Sequence, residues 1–149
     1  LNGTVITSNN GETWTQRTSG TNNLLHGIVY ADGIFVSVGK NGTIIKSTDG
    51  INWDNSSNSG TTEFLTKIDH GNGKFISTAK NGVIIKSDDA VNWTSQKITT
   101  NDLWDINHSK YGFVIGGDNG TLFHSHDGSN WIQSEKLTTN NIYSLTSIN

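Results

Sequence analysis

Two markers that repeat together along the chain predict an all-β fold, a β-propeller or a fragment of one. Asn-Gly followed by a short apolar strand occurs four times in the 149 residues, at intervals of 39, 40 and 38 residues. A tryptophan recurs at the same three intervals, from Trp14 to Trp131. A repeat of about 40 residues without helical periodicity is typical of four-stranded antiparallel propeller blades. One blade alone leaves both of its faces uncovered, so neighbouring blades must stack on it.

The second repeat unit shows the strand plan of one blade. Its predicted strands cover residues 25–30, 34–38, 43–47 and 51–54. The β-branched residues in these runs favour strands over helices. Asn41-Gly42 predicts a tight hairpin turn between the second and third strands, because both residues tolerate positive φ. The third and fourth units follow the same plan.

The whole chain, residues 1–149, is predicted to form a single repeat domain. Its blade portions are residues 1–18, 22–56, 62–97, 101–135 and 141–149. The first portion supplies only third and fourth strands, and the last supplies only a first strand. The prediction is therefore three complete blades plus one blade shared between the termini, with its second strand missing. A larger ring cut down, two chains sharing one ring of eight blades, and a β-sandwich with accidental repetition remain alternatives.

The composition excludes several classes of function. The formal net charge is −3 and Arg17 is the only arginine, so the chain lacks the basic face of a nucleic-acid-binding protein. No stretch approaches the roughly 18 apolar residues of a membrane span. The absence of cysteine excludes disulfides, thiol catalysis and thiolate metal sites. The absence of methionine predicts that the chain is a processed or trimmed piece of a longer protein.

The turn after each third strand follows one pattern, in which serine comes first, aspartate or asparagine third and tryptophan seventh. The side-chain oxygen of the third residue is expected to accept backbone N–H groups of its own turn. The tryptophan is expected to fill the gap between adjacent blades. These structural residues are Ser8, Asn10, Trp14, Ser47, Asp49, Trp53, Ser87, Asp89, Trp93, Ser125, Asp127 and Trp131.

The turn pattern resembles the Asp-box, or BNR, repeat of sialidase-like β-propellers, a group that includes photosystem II assembly factors and bacterial surface proteins. The usual family pattern is S-x-D-x-G-x-T-W, whereas here the glycine follows the aspartate directly and each copy is one residue shorter. Asn10 replaces aspartate in the first copy and Ala90 replaces glycine in the third. The resemblance implies that Asp49, Asp89 and Asp127 are structural and not catalytic. It also implies an extracellular or cell-surface location in a bacterium.

By the same resemblance, a sialidase-type site would need three arginines for the substrate carboxylate, a Tyr–Glu pair and an acid. Lysine does not reproduce the guanidinium fork, so Arg17 alone excludes that mechanism within this chain. Glu63 and Asp102 are expected to be solvated rim residues and not an acid–base pair. His124 and His126 are expected to be exposed edge histidines. No catalytic residue, metal ligand or cofactor is therefore predicted.

The candidate ligand site lies on the face formed by the loops between blades and the Asn-Gly turns. Positions on this face that differ from blade to blade are free to specialise. Two such positions are the second residue of each first strand and the residue before each Asn-Gly turn. Together they give His26, Thr66, Trp104, Tyr143, Lys40, Lys80 and Asp118. Aromatic residues beside polar ones suit a sugar or the apolar side chain of a protein partner, although Trp104 and Tyr143 alternatively plug the central channel.

Three functions follow from the sequence. The favoured one is a non-catalytic module that binds a glycan or a protein on the face described above. The first alternative is a structural or assembly segment that completes a larger propeller by self-association or with another chain. The second is a non-catalytic fragment of a sialidase-like glycoside hydrolase whose catalytic residues lie outside this sequence.

Overall fold

A computed structural model describes residues 3–55 and 57–148, and this part of the chain is all-β apart from three short 3-10 turns. Its strands form four antiparallel sheets. In order, these contain β1 (Val5–Thr7) and β2 (Thr15–Arg17); β3 (Leu25–Ala31), β4 (Ile34–Gly39) and β5 (Ile44–Ser47); β6 (Leu65–Gly71), β7 (Lys74–Ala79), β8 (Val83–Ser87) and β9 (Thr94–Lys97); and β10 (Leu103–Ser109), β11 (Gly112–Gly117), β12 (Leu122–Ser125) and β13 (Ile132–Gln133). Asn2 of the first Asn-Gly marker, and the predicted blade limits at residues 1, 56 and 149, lie outside the described residues.

The four sheets correspond to the predicted blades. The third and fourth sheets contain all four strands, each hydrogen-bonded to the next in sequence order. In the second sheet the predicted fourth strand at 51–54 is reduced to one bridge between Lys46 and Asp54. The first sheet contains only third and fourth strands, as predicted. The chain is therefore an all-β propeller segment.

Apolar side chains from neighbouring sheets meet in the seams between blades. One cluster joins Val36 and Val38 of the second sheet to Ile68 and Phe75 of the third. A second cluster joins side chains of the third sheet, among them Ile76, to apolar side chains of the fourth. The third sheet is thus covered on one face by the second sheet and on the other by the fourth. This radial stacking is that of a propeller and not of a two-layer β-sandwich.

The Asn-Gly turns have the positive φ that their sequence predicts. They form short 3-10 turns at Lys40–Gly42, Lys80–Gly82 and Asp118–Gly120, in which the asparagine φ is 58°, 54° and 55° respectively. Gly42 N donates a hydrogen bond to Glu63 O at 2.8 Å. A Cβ atom at Gly42 would collide with the Thr61 carbonyl oxygen. Glycine is therefore required here because the connection to the next blade passes directly over the turn.

The turn at Ser47–Trp53 is held by hydrogen bonds within itself. The N–H groups of Asn52 and Ile51 each donate to Asp49 Oδ1 at 2.8 Å, and Asn52 Nδ2 donates to Asp49 Oδ2 at 2.8 Å. These donors, with the backbone groups contributing most, hold the pKa of Asp49 well below its usual range. Asp89 and Asp127 have the same environment and the same direction of pKa shift. Both oxygens of each carboxylate are occupied inside the turn.

The expectation that all four indoles fill the seams between blades is wrong for Trp14, which is 58% exposed. Trp53 lies 6.3 Å from Phe35 between ring centroids, and Trp131 lies 6.4 Å from Phe113. Each of these phenylalanines is on the second strand of the same sheet as its tryptophan. The first sheet has no second strand, so no phenylalanine is available to pack against Trp14. The indoles pack at the outer margin of the blades and are at most partly buried.

The C-terminal segment, residues 141–148, lies along the fourth sheet without forming a regular strand. Ile142 N donates to Gly117 O at 2.9 Å, and Leu145 N donates to Asp105 Oδ2 at 2.6 Å. Among the described residues, the hydrogen bonds that leave this segment all go to the fourth sheet or to its Asn-Gly turn. The sharing of one blade between the two termini therefore stays a prediction.

Trp93→Ala should lower the free energy of unfolding by about 3 kcal/mol, since a partly buried indole that packs on the seam cluster is lost. Trp14→Ala should cost less than about 1 kcal/mol, because that indole is largely in water already. Urea denaturation of both variants measures the difference. Equal losses for the two variants would contradict this account of the packing.

Replacing Asp49, Asp89 and Asp127 together by Asn should remove much of the acid dependence of stability. Their lowered pKa values mean that the folded state binds fewer protons than the unfolded state. The stability that these three carboxylates contribute is therefore fully present above the ordinary aspartate pKa of about 3.9. It is lost progressively as the pH falls below that value. Asn10 already shows that an amide oxygen accepts the same two backbone N–H groups, both at 3.0 Å.

Thermal unfolding of the natural chain and this triple variant at about pH 7 and about pH 3 measures the effect, since the acid loss should shrink only in the variant. Asp88→Asn serves as the control. Asp88 is the second residue of one of these turns, but its carboxylate pairs with Lys74 at 2.8 Å instead of with the turn backbone. A triple variant that loses as much stability in acid as the natural chain would refute the assignment.

Candidate functional site

The second residue of each complete first strand lies at a β-bulge. The strand register shifts between Leu25 and Gly27, and equivalent shifts occur in β6 and β10. His26, Thr66 and Trp104 are the extra residues at these three bulges. A bulge interrupts the alternation of side chains along a strand and re-aims the side chain that it carries. Because the residues at these three equivalent positions differ in type, their side chains make different contacts.

His26 and Thr66 connect the first strands of adjacent blades, which are called the inner strands here. His26 Nδ1 lies 2.6 Å from Thr66 O, and because a carbonyl oxygen only accepts, this nitrogen carries the proton. Thr66 Oγ1 in turn donates to Leu103 O at 2.6 Å. His26 stays exposed, and its ring lies edge-on to Phe64 at a distance of 5.2 Å between ring centroids. Thr66 is completely buried, so the expectation that its side chain contacts a ligand is wrong.

Trp104 forms the centre of a group of four predicted site residues, here called the Trp104 cluster: Lys80, Trp104, Asp118 and Tyr143. The indole Nε1 donates to Asp118 Oδ1 at 2.6 Å. Lys80 Nζ lies 5.2 Å from the centroid of the indole ring, within the range of a cation–π contact. The Tyr143 ring is tilted by 53° at a centroid distance of 5.7 Å. Trp104 is half-buried and Tyr143 is exposed, so ring surface remains open to solvent.

Two carboxylates that the sequence places on this rim hold the neighbouring Asn-Gly turn. Asp102 Oδ1 accepts the N–H of Asn81 at 2.8 Å, and Asp102 Oδ2 lies 3.5 Å from Lys80 Nζ. Glu63 Oε2 accepts a hydrogen bond from Asn81 Nδ2 at 2.9 Å. Asp102 therefore both positions the turn and sets the direction of the Lys80 side chain. Lys40, at the equivalent place in the second blade, is exposed.

Two further aspartates, which sequence reasoning did not single out, connect the inner strands. Asp69 Oδ2 accepts the N–H of His108 at 2.7 Å, across the seam between the third and fourth sheets. Asp105 Oδ2 accepts the N–H of Leu145 at 2.6 Å, which fixes the C-terminal segment on the fourth sheet. The two residues occupy different positions of their strands, so the repeat pattern contains no signal for them.

The part of the chain that the structure describes gives no support for a metal site or a membrane-spanning helix. His124 Nδ1 lies 3.3 Å from Ser134 Oγ, and His126 is exposed. Residues 3–55 and 57–148 contain no group of three or more His, Cys, Asp or Glu side chains placed to hold a metal ion. No helix within these residues has the length and apolarity to cross a bilayer.

Solved structures share this fold at low sequence identity. YCF48 from Cyanidioschyzon merolae matches with a TM-score of 0.65 and 15% identity, over 78% of this chain and 38% of that one. A structure described as YCF48 bound to D1 peptide matches with a TM-score of 0.63 and 19% identity, over 90% of this chain and 48% of that one. The computationally designed Ika8 protein matches with a TM-score of 0.68 and 14% identity, over 100% of this chain and 51% of that one.

These matches define the class of the chain as a β-propeller segment. It spans about half of the length of the designed protein and less than half of the length of either YCF48 structure. At such identities the likeness concerns the fold alone. Comparison with protein-family models gives no match, and comparison with curated proteins gives none either. The resemblance to the Asp-box repeat family therefore stays a prediction.

Proposed function

We propose that the chain is a non-catalytic β-propeller module that binds a polypeptide partner at the Trp104 cluster. The observation that carries this proposal is the exposed aromatic surface of Trp104 and Tyr143 with a lysine ammonium group beside it. The indole N–H already donates to Asp118, so a ligand would contact the faces of the ring and not its N–H group. Aromatic residues of this kind dominate the energetics of protein–protein contacts.

The charge around the cluster favours a particular kind of peptide. Lys80 lies against the indole, and Lys40 and His26 continue the same rim on the second blade. An apolar side chain can stack on Trp104 while a neighbouring carboxylate, from Asp, Glu or a chain terminus, approaches Lys80. Asp102 shares the Lys80 ammonium at 3.5 Å and holds it in place without covering it. The favoured ligand is therefore a peptide with an apolar side chain next to a carboxylate.

The comparisons support a polypeptide more than a glycan. One of the fold neighbours is described as bound to a D1 peptide, so a propeller of this shape accommodates a peptide. Stacking of a sugar on Trp104 and Tyr143 is the second candidate, and the same experiment tests it. The hydrolase-fragment alternative has less support, because Glu63 and Asp102 hold the Asn81 turn. An extracellular or cell-surface bacterial location is part of the proposal and rests on the Asp-box resemblance alone.

Trp104→Ala should weaken peptide binding by about tenfold or more, as expected for removal of an aromatic hot spot. The probes are an array of short random peptides with free C-terminal carboxylates and a glycan array, both incubated with the 149-residue chain. Peptides enriched in an apolar residue beside a carboxylate should bind. Lys80→Gln should weaken the same peptides and reduce the salt dependence of their binding.

The matched control is Tyr111→Ala. Tyr111 is also an exposed aromatic residue with a lysine over its ring, Lys110 at 5.1 Å, but it lies in the turn after the first strand, on the opposite side of the blade. Peptide binding should be unchanged in this variant. Binding of glycans only, or a loss of peptide binding in Tyr111→Ala that equals the loss in Trp104→Ala, would overturn the proposal.

A further inference from the structure

The side chains of four Asn-Gly pairs in this chain are held by their amide nitrogens. In each of the four, asparagine Nδ2 donates a hydrogen bond to a group elsewhere in the protein, at 2.8 to 3.5 Å. The acceptors are Asn23 Oδ1 for Asn41, His126 O for Asn72, Glu63 Oε2 for Asn81 and Asn101 Oδ1 for Asn119. All four asparagines also have positive φ. Their amide groups are therefore tied to the protein through the nitrogen.

Asn10, which precedes Gly11 in the turn between β1 and β2, is held by its oxygen instead. Asn10 Oδ1 accepts the N–H groups of Glu12 and Thr13, both at 3.0 Å, and the hydroxyls of Ser8 and Thr13, both at 3.1 Å. Asn10 is exposed, and within residues 3–55 and 57–148 no group accepts a hydrogen bond from its Nδ2. Four donors on the oxygen stabilise the negative charge that develops there when the amide carbon Cγ is attacked.

A chain of two hydrogen bonds connects the backbone nitrogen of Gly11 with the same oxygen. Gly11 N donates to Ser8 Oγ at 2.8 Å, and Ser8 Oγ donates to Asn10 Oδ1 at 3.1 Å. A backbone nitrogen that attacks Cγ must lose its proton, and the amide oxygen gains one. The Ser8 hydroxyl is placed to accept the first proton and donate the second. No atom lies within 4 Å of the position that a Cβ of Gly11 would take, so this side of the turn is open.

The same turn already holds a carboxylate in the other three blades. Asp49, Asp89 and Asp127 occupy the position of Asn10, and each accepts the two equivalent backbone N–H groups at 2.8 or 2.9 Å. Hydrogen bonds to a charged acceptor are shorter and stronger than those to a neutral one. The first turn is therefore complementary to the carboxylate that hydrolysis of the Asn10 amide would produce.

We propose that Asn10 is a site of spontaneous deamidation in the folded chain, which gives the first turn the aspartate of the other three. Gly11 N forms a bond to Asn10 Cγ while its proton passes to Ser8 Oγ and the Ser8 proton passes to Asn10 Oδ1. The Cγ–Nδ2 bond then breaks, Nδ2 takes up the Oδ1 proton and leaves as ammonia, and a succinimide ring remains. One water opens the ring at Cγ to give aspartate, or at the main-chain carbonyl to give isoaspartate. This proposal does not depend on the ligand of the Trp104 cluster.

Peptide mapping by mass spectrometry of the folded chain in mildly alkaline buffer tests the assignment, because deamidation raises the mass of the peptide that contains it. Asn10 should react at least about tenfold faster than each of Asn41, Asn72, Asn81 and Asn119. In urea the five rates should converge, because the hydrogen bonds that distinguish these residues are lost. A folded chain in which any of the four reacts as fast as Asn10 overturns the proposal.

Ser8→Ala tests the proton path. It should slow the reaction of Asn10 in the folded chain by about threefold or more and have no effect in urea. Ser8→Thr, which keeps a hydroxyl, should restore the rate. The matched control is Ser47→Ala, at the same position of the second turn, which should leave the rate at Asn10 unchanged. A rate that Ser8→Ala leaves unchanged or raises contradicts the proposed role of Ser8.

Asn10→Asp tests whether the turn favours the product. This variant should have a higher midpoint of thermal unfolding than the natural chain at about pH 7, and the gain should disappear at about pH 3, where the carboxylate is protonated. Asn9→Asp adds the same charge one residue earlier, at an exposed side chain without a hydrogen bond among the described residues, and serves as the control. Equal midpoints for the two variants at about pH 7 would refute the complementarity of the turn to a carboxylate.

Discussion

Each blade of this chain has two apolar faces, and neither face is buried by the blade itself. The seam clusters consist of side chains from two sheets at once, such as Val36 against Ile68. Burial of apolar area is the main favourable term in folding, so a blade in this fold is stable only between neighbours. Ile28 shows the consequence beside the two-stranded first sheet, where a position that is buried in the next two blades is 56% exposed.

The turns satisfy their own backbone hydrogen bonds, so this part of the stability does not have to come from packing in the seams between blades. The Ser-x-Asp turn satisfies its own backbone N–H groups through one carboxylate, and Asn10 does the same with an amide. Asn41-Gly42 joins two strands in minimal space and lets the connection from the next blade pass against it. Because the contacts of the Ser-x-Asp turn lie within one repeat, every blade can form them independently of the rest of the chain. The residues outside the turns are then free to differ.

The sequence predicts the local features of this fold and misses those that depend on neighbouring strands. The positive φ at Asn41, and the division into blades, follow from residue types and spacing. The exposure of Trp14 does not, because the phenylalanine that covers its counterparts is on a strand that the first sheet lacks. The repeat pattern also does not reveal the bulge at Thr66. The sequence therefore places a buried threonine among the candidate ligand residues. The members of the Trp104 cluster can be predicted from the sequence, because they occupy positions on one face that differ from blade to blade.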